Sequence, residues 1–241
     1  CDGVCDQYGD CCPEVAAAFV EAGVQAGWPR NADFNGATQE GVGFYQVTQR
    51  AGERGSTARA YLRPALARPN LRVVTGAQAT GLRFDGRRCT GVTYRLGGAS
   101  GRERWATARA EVLLCAGALQ SPQLLMLAGI GPGEHLQALG VPLRHHLPGV
   151  GGNLHDHPDV VLVVDAPRVR ELFGLSLAGA RHALPGIPDW WRHRRGVLTT
   201  NYAEAGGFLR SDPALAAPDL QIHFVVGKLV DHGRHLVARS E

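Results

Sequence analysis

The sequence predicts a mixed α/β fold (α+β) that combines helices, a small antiparallel meander and at least one buried strand. Three observations predict it. Apolar residues recur at helical spacing over 13–26, apolar and polar residues alternate on both sides of Asp85-Gly86, and an apolar run at 111–115 leads into a turn of small residues. With 241 residues, 44% of them hydrophobic, the chain is long enough for one large domain or two small ones.

The N-terminal part is predicted to be helical at two places. Apolar residues such as Val20 and Val24 indicate a helix over 13–26, which the Trp28-Pro29 pair ends. A Gly- and Asn-rich loop over 31–43 follows. A second helix is expected through 60–62. Ser56 or Thr57 would cap this helix, and Pro64 would end it or kink it.

The centre of the chain changes to the periodicity of strands. A short apolar run at 71–75 predicts a strand, and 79–96 predicts a hairpin that turns at Asp85-Gly86. Residues 105–108 add a third strand to this meander. The continuous apolar run at 111–115 is typical of a buried parallel strand. We expect it to lie beside 71–75 in one sheet.

A turn of small residues, beginning Ala116-Gly117, joins that strand to a helix. Ser121 is expected to cap the helix, Pro122 to take its first position and Gly129 to end it. Nucleotide-binding sheets use a strand, tight turn and helix to bring the backbone close to a phosphate or ring. Most such turns, however, only pack a helix on a strand, so this pattern alone does not establish a nucleotide site.

The C-terminal third predicts fewer regular elements. A loop is expected over 149–159 and a strand over 160–164. Residues 168–195 are predicted to be mostly helical, with breaks at Pro185 and Pro188. Alternating apolar and polar residues over 220–226 indicate a half-buried strand.

Charge and segment composition restrict the classes of function. A net charge of +3 is too weak to indicate nucleic-acid binding. No apolar run reaches transmembrane length, and the N-terminus has neither a basic leader nor a secretory core, so we expect a cytoplasmic protein. The sequence has two kinds of cysteine: a cluster whose spacing fits no common zinc site, and two that we expect to be inert core thiols. They are Cys1, Cys5, Cys11 and Cys12 in the first group and Cys89 and Cys115 in the second.

Three further motifs are weak. The Gly-rich stretches 129–133 and 149–152 do not fit G-x-G-x-x-G in a strand–turn–helix context, so neither is interpreted as a pyrophosphate loop. His155-Asp156-His157 has residue types found in metal sites and hydrolases. Alternate residues of an extended loop point apart, so a polar loop is favoured and no metal is expected.

Five motifs, in order along the chain, resemble the glucose–methanol–choline (GMC) oxidoreductases. The most specific is 117–132, which is similar to the family's second signature except that Ala128 stands where the family usually has Ser. Two of the other motifs precede it: Asp33-Phe34-Asn35-Gly36, and the segment 52–64 with Gly52, Arg54, Ser56-Thr57-Ala58, Tyr61-Leu62 and Pro64. Two follow it: the segment 147–158, from Leu147-Pro148-Gly149 to Asp156-His157-Pro158, and Pro218-Asp219-Leu220-Gln221. Together they cover about 19–233.

The resemblance implies an FAD-dependent oxidoreductase that acts on the CH–OH group of donors. It implies an FAD-binding domain of glutathione-reductase type, with a β-meander, over 1–160. The start of a substrate-binding domain with an antiparallel sheet would cover 161–241, and both domains would be incomplete. The branch resembled is that of choline dehydrogenase and FAD-linked alcohol dehydrogenases. These enzymes oxidise a primary alcohol to an aldehyde by hydride transfer to flavin. Their electrons pass to an acceptor such as a quinone, and some members associate peripherally with the inner membrane face.

The resemblance also assigns site residues. The backbone of Ala79 should face the adenine of FAD, and Ala116-Gly117 should border the dinucleotide, since small residues let a ligand approach the main chain. Glu204 is expected to face the substrate cavity and to attract a quaternary ammonium, with Tyr202 or Phe224 adding cation–π attraction. The alternative is a structural Glu204 paired with an arginine.

Two family segments do not match anywhere in the sequence: the G-x-G-x-x-G unit and the segment with the catalytic His. None of the ten histidines lies in a matching motif, so no catalytic residue is assigned here and the family His is expected beyond the C-terminus. We therefore expect an internal fragment that is inactive alone. The alternatives are a non-catalytic flavin- or nucleotide-binding module and an unrelated hydrolase that uses His155, Asp156 and His157.

The predicted inactivity can be measured directly. A general base contributes roughly a hundred- to ten-thousand-fold to proton transfer, so the chain alone should show no choline- or alkanol-dependent dye reduction. Turnover above the rate of a heat-inactivated sample would contradict the prediction. A yellow colour in the purified protein would favour either flavin-binding alternative over the hydrolase.

Overall fold

A computed structural model describes residues 13–164, 184 and 186–227 of the chain. The chain divides into two compact units. The first combines the segment up to Ala67 with the segment from Val160 onward, and the second is Arg68–Asp159. The assignment of 1–160 and 161–241 to two family domains stays a prediction. In the described part of the chain, no helix has the length and apolarity needed to cross a membrane.

The first unit contains, in chain order, α1 (Pro13–Gln25), β1 (Gly41–Phe44), β2 (Gln49–Arg50), β3 (Glu53–Arg54), a π-helical turn (Ala58–Leu62), α2 (Arg63–Ala65), α5 (Gly186–His193), a 3-10 turn (Val197–Thr199), β9 (Ala205–Leu209) and β10 (Leu220–Phe224). The second unit contains β4 (Ala77–Asp85), β5 (Arg88–Leu96), β6 (Glu103–Thr107), α3 (Gly117–Leu127), β7 (Ile130–Gly131), α4 (Gly133–Ala138) and β8 (His145–His146).

The first unit is built on a three-stranded antiparallel sheet in the order β1–β9–β10. Helix α1 packs on this sheet, and its predicted apolar face forms the core. The buried residues of that core are Ala16, Val20, Val42, Ala205 and Leu209. Phe19 of α1 stacks on Phe224 of β10, with 4.5 Å between ring centroids. The predicted helix over 13–26 and strand over 220–226 are confirmed, but β1 lies partly in a segment predicted to be loop.

The predicted helix around 60–62 is present, but it begins as a π-helical turn and only then becomes α-helical. The Ser56 hydroxyl accepts a hydrogen bond from the Arg59 backbone N–H at 3.3 Å, as expected of a capping residue. The chain then makes a wide turn in which the Arg63 N–H donates to the Ala58 carbonyl. It continues through Pro64 as one short turn of α-helix, so the proline lies within the helical segment and does not end it.

The second unit confirms the predicted meander. β4, β5 and β6 pair in sequence as antiparallel strands, and Asp85 pairs with Arg88 across a two-residue turn. Gly86 in that turn has φ +54°, a conformation that glycine adopts without strain. The ladder between β4 and β5 is irregular between Ala79 and Gly81.

Three predicted strands are wrong. The runs Leu71–Thr75, Glu111–Cys115 and Val160–Val164 form no strand in the structure. A strand exists only where a neighbour satisfies its backbone hydrogen bonds, and none of the described residues pairs with these runs. Most of their apolar side chains are exposed, with Leu113 76% exposed, although Val112 and Leu114 are half-buried. Cys115 is exposed as well and is not a core thiol, whereas Cys89 is half-buried.

Helix α3 begins earlier than predicted. It starts at Gly117, so Pro122 lies inside it rather than at its first position. Ser121 does not cap in the predicted way: its hydroxyl accepts a hydrogen bond from the Ala116 backbone N–H at 3.0 Å. Gly129, with φ +81°, follows the last turn as predicted.

The segment predicted as a long helix over 168–195 is helical at Gly186–His193. Pro188 lies in the first turn of α5, where a missing backbone N–H costs no intrahelical hydrogen bond. Pro185 and residues 165–183 lie outside the described residues, as does the cysteine cluster at the N-terminus.

Gly206, in the central strand of the first unit, has no space for a side chain. An added Cβ would overlap the Ile222 carbonyl oxygen and meet the Tyr45 ring at 2.5 Å. Gly206→Ala should therefore lower the free energy of unfolding by roughly 3 kcal/mol, since overpacking moves backbone and side chains together. Urea unfolding followed by tryptophan fluorescence measures this. Gly55→Ala is the matched control, because a Cβ there meets its nearest atom at 3.4 Å. Equal effects of the two substitutions would contradict the packing.

Candidate functional site

The three predicted substrate residues lie at one end of the sheet in the first unit. Ala205, the first residue of β9, is the register partner of both Phe44 and Phe224. Just before it, the Glu204 carbonyl accepts a hydrogen bond from the Tyr45 N–H at 2.8 Å, and the Tyr202 carbonyl accepts one from Val226 at 3.2 Å. The strand pairing thus brings Tyr202, Glu204 and Phe224 to the same end of the sheet.

Glu204 has a buried side chain, and one oxygen of its carboxylate lacks a partner among the described residues. The residue is 7% exposed, and its Oε1 atom is buried without a hydrogen bond in the described part of the chain. No arginine of the described residues forms an ion pair with it. The pairing with an arginine, expected under the structural alternative, is therefore absent from this part of the chain. A buried charge is costly unless a cation or hydrogen-bond donor meets it, so this carboxylate can accept one.

A cluster of aromatic rings packs beside β9. Phe34 is buried and lies 5.2 Å from Tyr45 and 5.1 Å from Phe208 between ring centroids. The Tyr45 hydroxyl donates to the Ile222 carbonyl at 2.5 Å, and burial raises the pKa of this phenol. Sequence reasoning did not select Phe34 or Tyr45 as part of the site. The signal was present in Asp33-Phe34-Asn35-Gly36, whose Phe34 fills the space beside β9.

An ionic cluster holds the segment before Glu204 in place. The Glu53 carboxylate forms ion pairs with Arg59 and, at 3.0 Å, with Arg194. The Arg194 guanidinium also lies 4.4 Å from the centroid of the Trp190 ring, whose Nε1 donates to the Gly52 carbonyl at 3.0 Å. These contacts join α5 to the hairpin β2–β3, so they fix the start of the segment that leads to Glu204.

The predicted cofactor residues lie in the second unit. Ala79 is an exposed residue of β4, and helix α3, which starts at Gly117, lies against the same strand. Gly117 has φ +86°, and nothing lies within 4 Å of the position that a Cβ would occupy there. The backbone at this turn is therefore open to a ligand. The Ala116 N–H is already bonded to Ser121, so it is not a free donor.

The remaining polar motifs have structural contacts. The Asp156 carboxylate accepts a hydrogen bond from the His157 backbone N–H at 2.8 Å, within an exposed loop. His146 Nδ1 accepts one from the Gly133 N–H at 3.0 Å, at the first residue of α4. Among the described residues, no group of three His, Cys, Asp or Glu side chains is arranged to hold a metal ion.

Comparison with known proteins identifies the family. Residues 4–159 match the family model described as GMC oxidoreductase. The chain belongs to the GMC oxidoreductase family. The fold is similar to that of a solved structure, an FAD-dependent oxidoreductase from Chaetomium thermophilum, with a TM-score of 0.68 at 25% identity over 81% of this chain and 34% of that chain.

Curated relatives cover most of this chain. It is 44% identical over 222 residues to the alcohol dehydrogenase [acceptor] of Pseudomonas putida, which is 92% of this chain and 40% of that protein. It is 46% identical over 211 residues to the oxygen-dependent choline dehydrogenase of Ectopseudomonas mendocina, which is 86% of this chain and 36% of that protein. The chain thus spans well under half the length of these two relatives.

The carboxylate of Asp219, the residue directly before β10, is held by two hydrogen bonds. Asp219 accepts hydrogen bonds from the Ser211 hydroxyl at 2.6 Å and from the Ser211 backbone N–H at 2.7 Å, and these bonds lower the pKa of the Asp219 carboxyl. A lowered carboxyl pKa stabilises the fold above the unfolded-state pKa. That contribution is lost as the pH falls through the folded-state pKa.

Ser211→Ala should therefore raise the pKa of Asp219 toward its ordinary value, because the hydroxyl hydrogen bond that lowers this pKa most is removed. An NMR titration of the carboxyl carbon measures the change. Ser100→Ala, in a turn of the second unit, is the control and should leave the Asp219 titration as it is. An unchanged pKa in Ser211→Ala would show that the hydroxyl contact does not act on the carboxyl in solution.

Proposed function

We propose that this chain is part of an FAD-dependent alcohol dehydrogenase that oxidises a primary alcohol with a cationic head group, of the choline type, to its aldehyde. Family membership and the names of the relatives support an oxidoreductase that acts on CH–OH donors. The buried Glu204 side chain, whose Oε1 atom has no hydrogen-bond partner in the described part of the chain, is the single observation that favours a cationic substrate over a neutral one.

FAD is the cofactor of this family, and residues of the second unit fit such a group. The open space at Gly117 and the exposed backbone at Ala79 leave room for a ligand against the strand and turn. Ala116 would border the ligand at the start of α3, but its N–H group would not donate a hydrogen bond to it. Bound FAD would supply the two-electron acceptor for the hydride of the alcohol carbon.

Glu204 would hold the substrate's cation. A quaternary ammonium has no hydrogen-bond donors, so it is recognised by charge and by aromatic faces. Tyr202 and Phe224 lie at the same end of the sheet as Glu204. Tyr202 is 53% exposed and would supply one aromatic face. The Phe224 ring stacks on Phe19 and packs against the core, so only its remaining surface would be offered to a ligand.

A second candidate substrate is an uncharged aliphatic alcohol. It is favoured by the 44% identity to the alcohol dehydrogenase of Pseudomonas putida. The two candidates share the reaction and the cofactor, and they differ in whether the carboxylate of Glu204 contacts the substrate. In both, the electrons would pass to an acceptor such as a quinone.

Glu204→Gln distinguishes the two candidates in a full-length enzyme that carries this chain. Choline and its neutral isostere 3,3-dimethylbutan-1-ol have the same shape, so only the charge differs. If Glu204 binds the cation, the kcat/KM ratio of choline to the isostere should fall by at least about thirtyfold, since an unpaired charge is left when its partner is removed.

Glu134→Gln is the matched control, because Glu134 is an exposed glutamate of the second unit. It should leave the ratio unchanged. An equal loss for both substrates in Glu204→Gln, or a lower melting temperature with an unchanged ratio, would mean that Glu204 is structural and that the cationic substrate is wrong.

A further inference from the structure

The second unit has a cleft apart from the proposed cofactor residues. It has a volume of about 790 Å³ and lies between the turn of the β4–β5 hairpin and the segment from the end of α3 to β8. That volume is within the range of ligand pockets in proteins. Its apolar lining includes Leu82, Phe84, Leu127, Ile130, Val141 and Leu143. Leu127 is 58% exposed and Leu143 is 42% exposed, so this apolar surface is not covered by the described residues.

Basic side chains lie at the edge of the same cleft. Arg144 crosses from one wall to the other: its guanidinium lies 4.6 Å from the centroid of the Phe84 ring, and its Nη1 is 3.4 Å from the Gly86 carbonyl. Arg87 lies beside it in the hairpin turn, and His145 completes the polar edge. Neither arginine forms an ion pair with a carboxylate of the described residues.

The backbone holds this arrangement in place. Both the Arg144 and the His145 N–H groups donate to the Gly129 carbonyl, at 2.8 Å and 3.0 Å. Gly129 itself has no room for a side chain, because Pro142 and Arg144 lie against it. The Arg144 cation and the lining next to it are therefore held by this fixed backbone, whereas Arg87 is presented by the separate turn between β4 and β5.

We propose that this cleft binds a single-chain amphiphile with an anionic head group, a medium-chain carboxylate. The alkyl chain would cover the exposed leucines, and the carboxylate would accept charge-assisted hydrogen bonds from Arg87 and Arg144. An apolar lining alone would bind any hydrophobic molecule. The two guanidinium groups, which meet no carboxylate in the described part of the chain, select an anion and disfavour a cation or a neutral alcohol.

Calorimetric titration of the chain with decanoate, below its micelle concentration, tests the site. We expect one saturable site and an affinity about fifteenfold higher for decanoate than for octanoate, since each buried methylene adds about fourfold. Decan-1-ol and decyltrimethylammonium should bind at least tenfold more weakly. Inorganic phosphate alone should not bind measurably.

Arg87→Gln and Arg144→Gln should each weaken decanoate binding about tenfold or more, because each removes a charged donor. Arg87 forms no side-chain hydrogen bond or ion pair that the described residues show, so Arg87→Gln tests the site even if Arg144→Gln unfolds the hairpin. Arg102→Gln, an exposed arginine outside the cleft, is the control and should bind decanoate normally.

Four results would overturn the proposal. They are equal binding of decan-1-ol, an equal loss in Arg102→Gln, phosphate binding as tight as that of decanoate, and binding to vesicles of anionic phospholipid without binding to monomeric decanoate. The last result would identify a membrane surface rather than a pocket for a single molecule.

Discussion

The first unit depends on the pairing of β9 with strands from two distant parts of the sequence. β1 comes from 41–44 and β10 from 220–224, and both reach Ala205–Leu209 in the middle of the sheet. Gly206 and Gly207 make the close approach possible, since a side chain at either would strike the neighbouring strand. This pairing buries Val42 and Ala205 under α1, and it also determines where Glu204 lies, because Glu204 directly precedes the central strand.

Local signals in the sequence predicted local structure well. The helix over 13–26 and the hairpin around Asp85-Gly86 are stabilised by contacts between near neighbours, so periodicity and turn residues were sufficient to find them. β1 was missed because Gly41 and Gly43 are poor strand formers, and only its pairing with β9 makes that segment a strand. The predictions of strands over 71–75 and 111–115 were wrong for the opposite reason. They have strand-forming residues and no paired neighbour among the described residues.

The role of the candidate site residues stays a prediction. The resemblance to choline-oxidising members led to Tyr202, Glu204 and Phe224, and the strand register places them at one end of a sheet. Phe34 and Tyr45 could not be selected from spacing, because their contacts with Phe208 and Ile222 join residues more than 170 positions apart. The Arg87–Arg144 cleft could not be predicted from the sequence either, since it depends on how the hairpin turn lies against β8.

Glu53 and Glu204 differ in whether an arginine pairs with the carboxylate, and this difference supports the proposed role of Glu204. Both glutamates belong to the first unit, in a chain with 25 basic residues of the Lys and Arg types. Glu53 is met by Arg59 and Arg194, whereas Glu204 is met by neither of these nor by another arginine of the described residues. Abundance of arginine therefore does not lead to pairing by itself. Burial of the Glu204 side chain without such a pairing is the basis of the proposed cationic substrate.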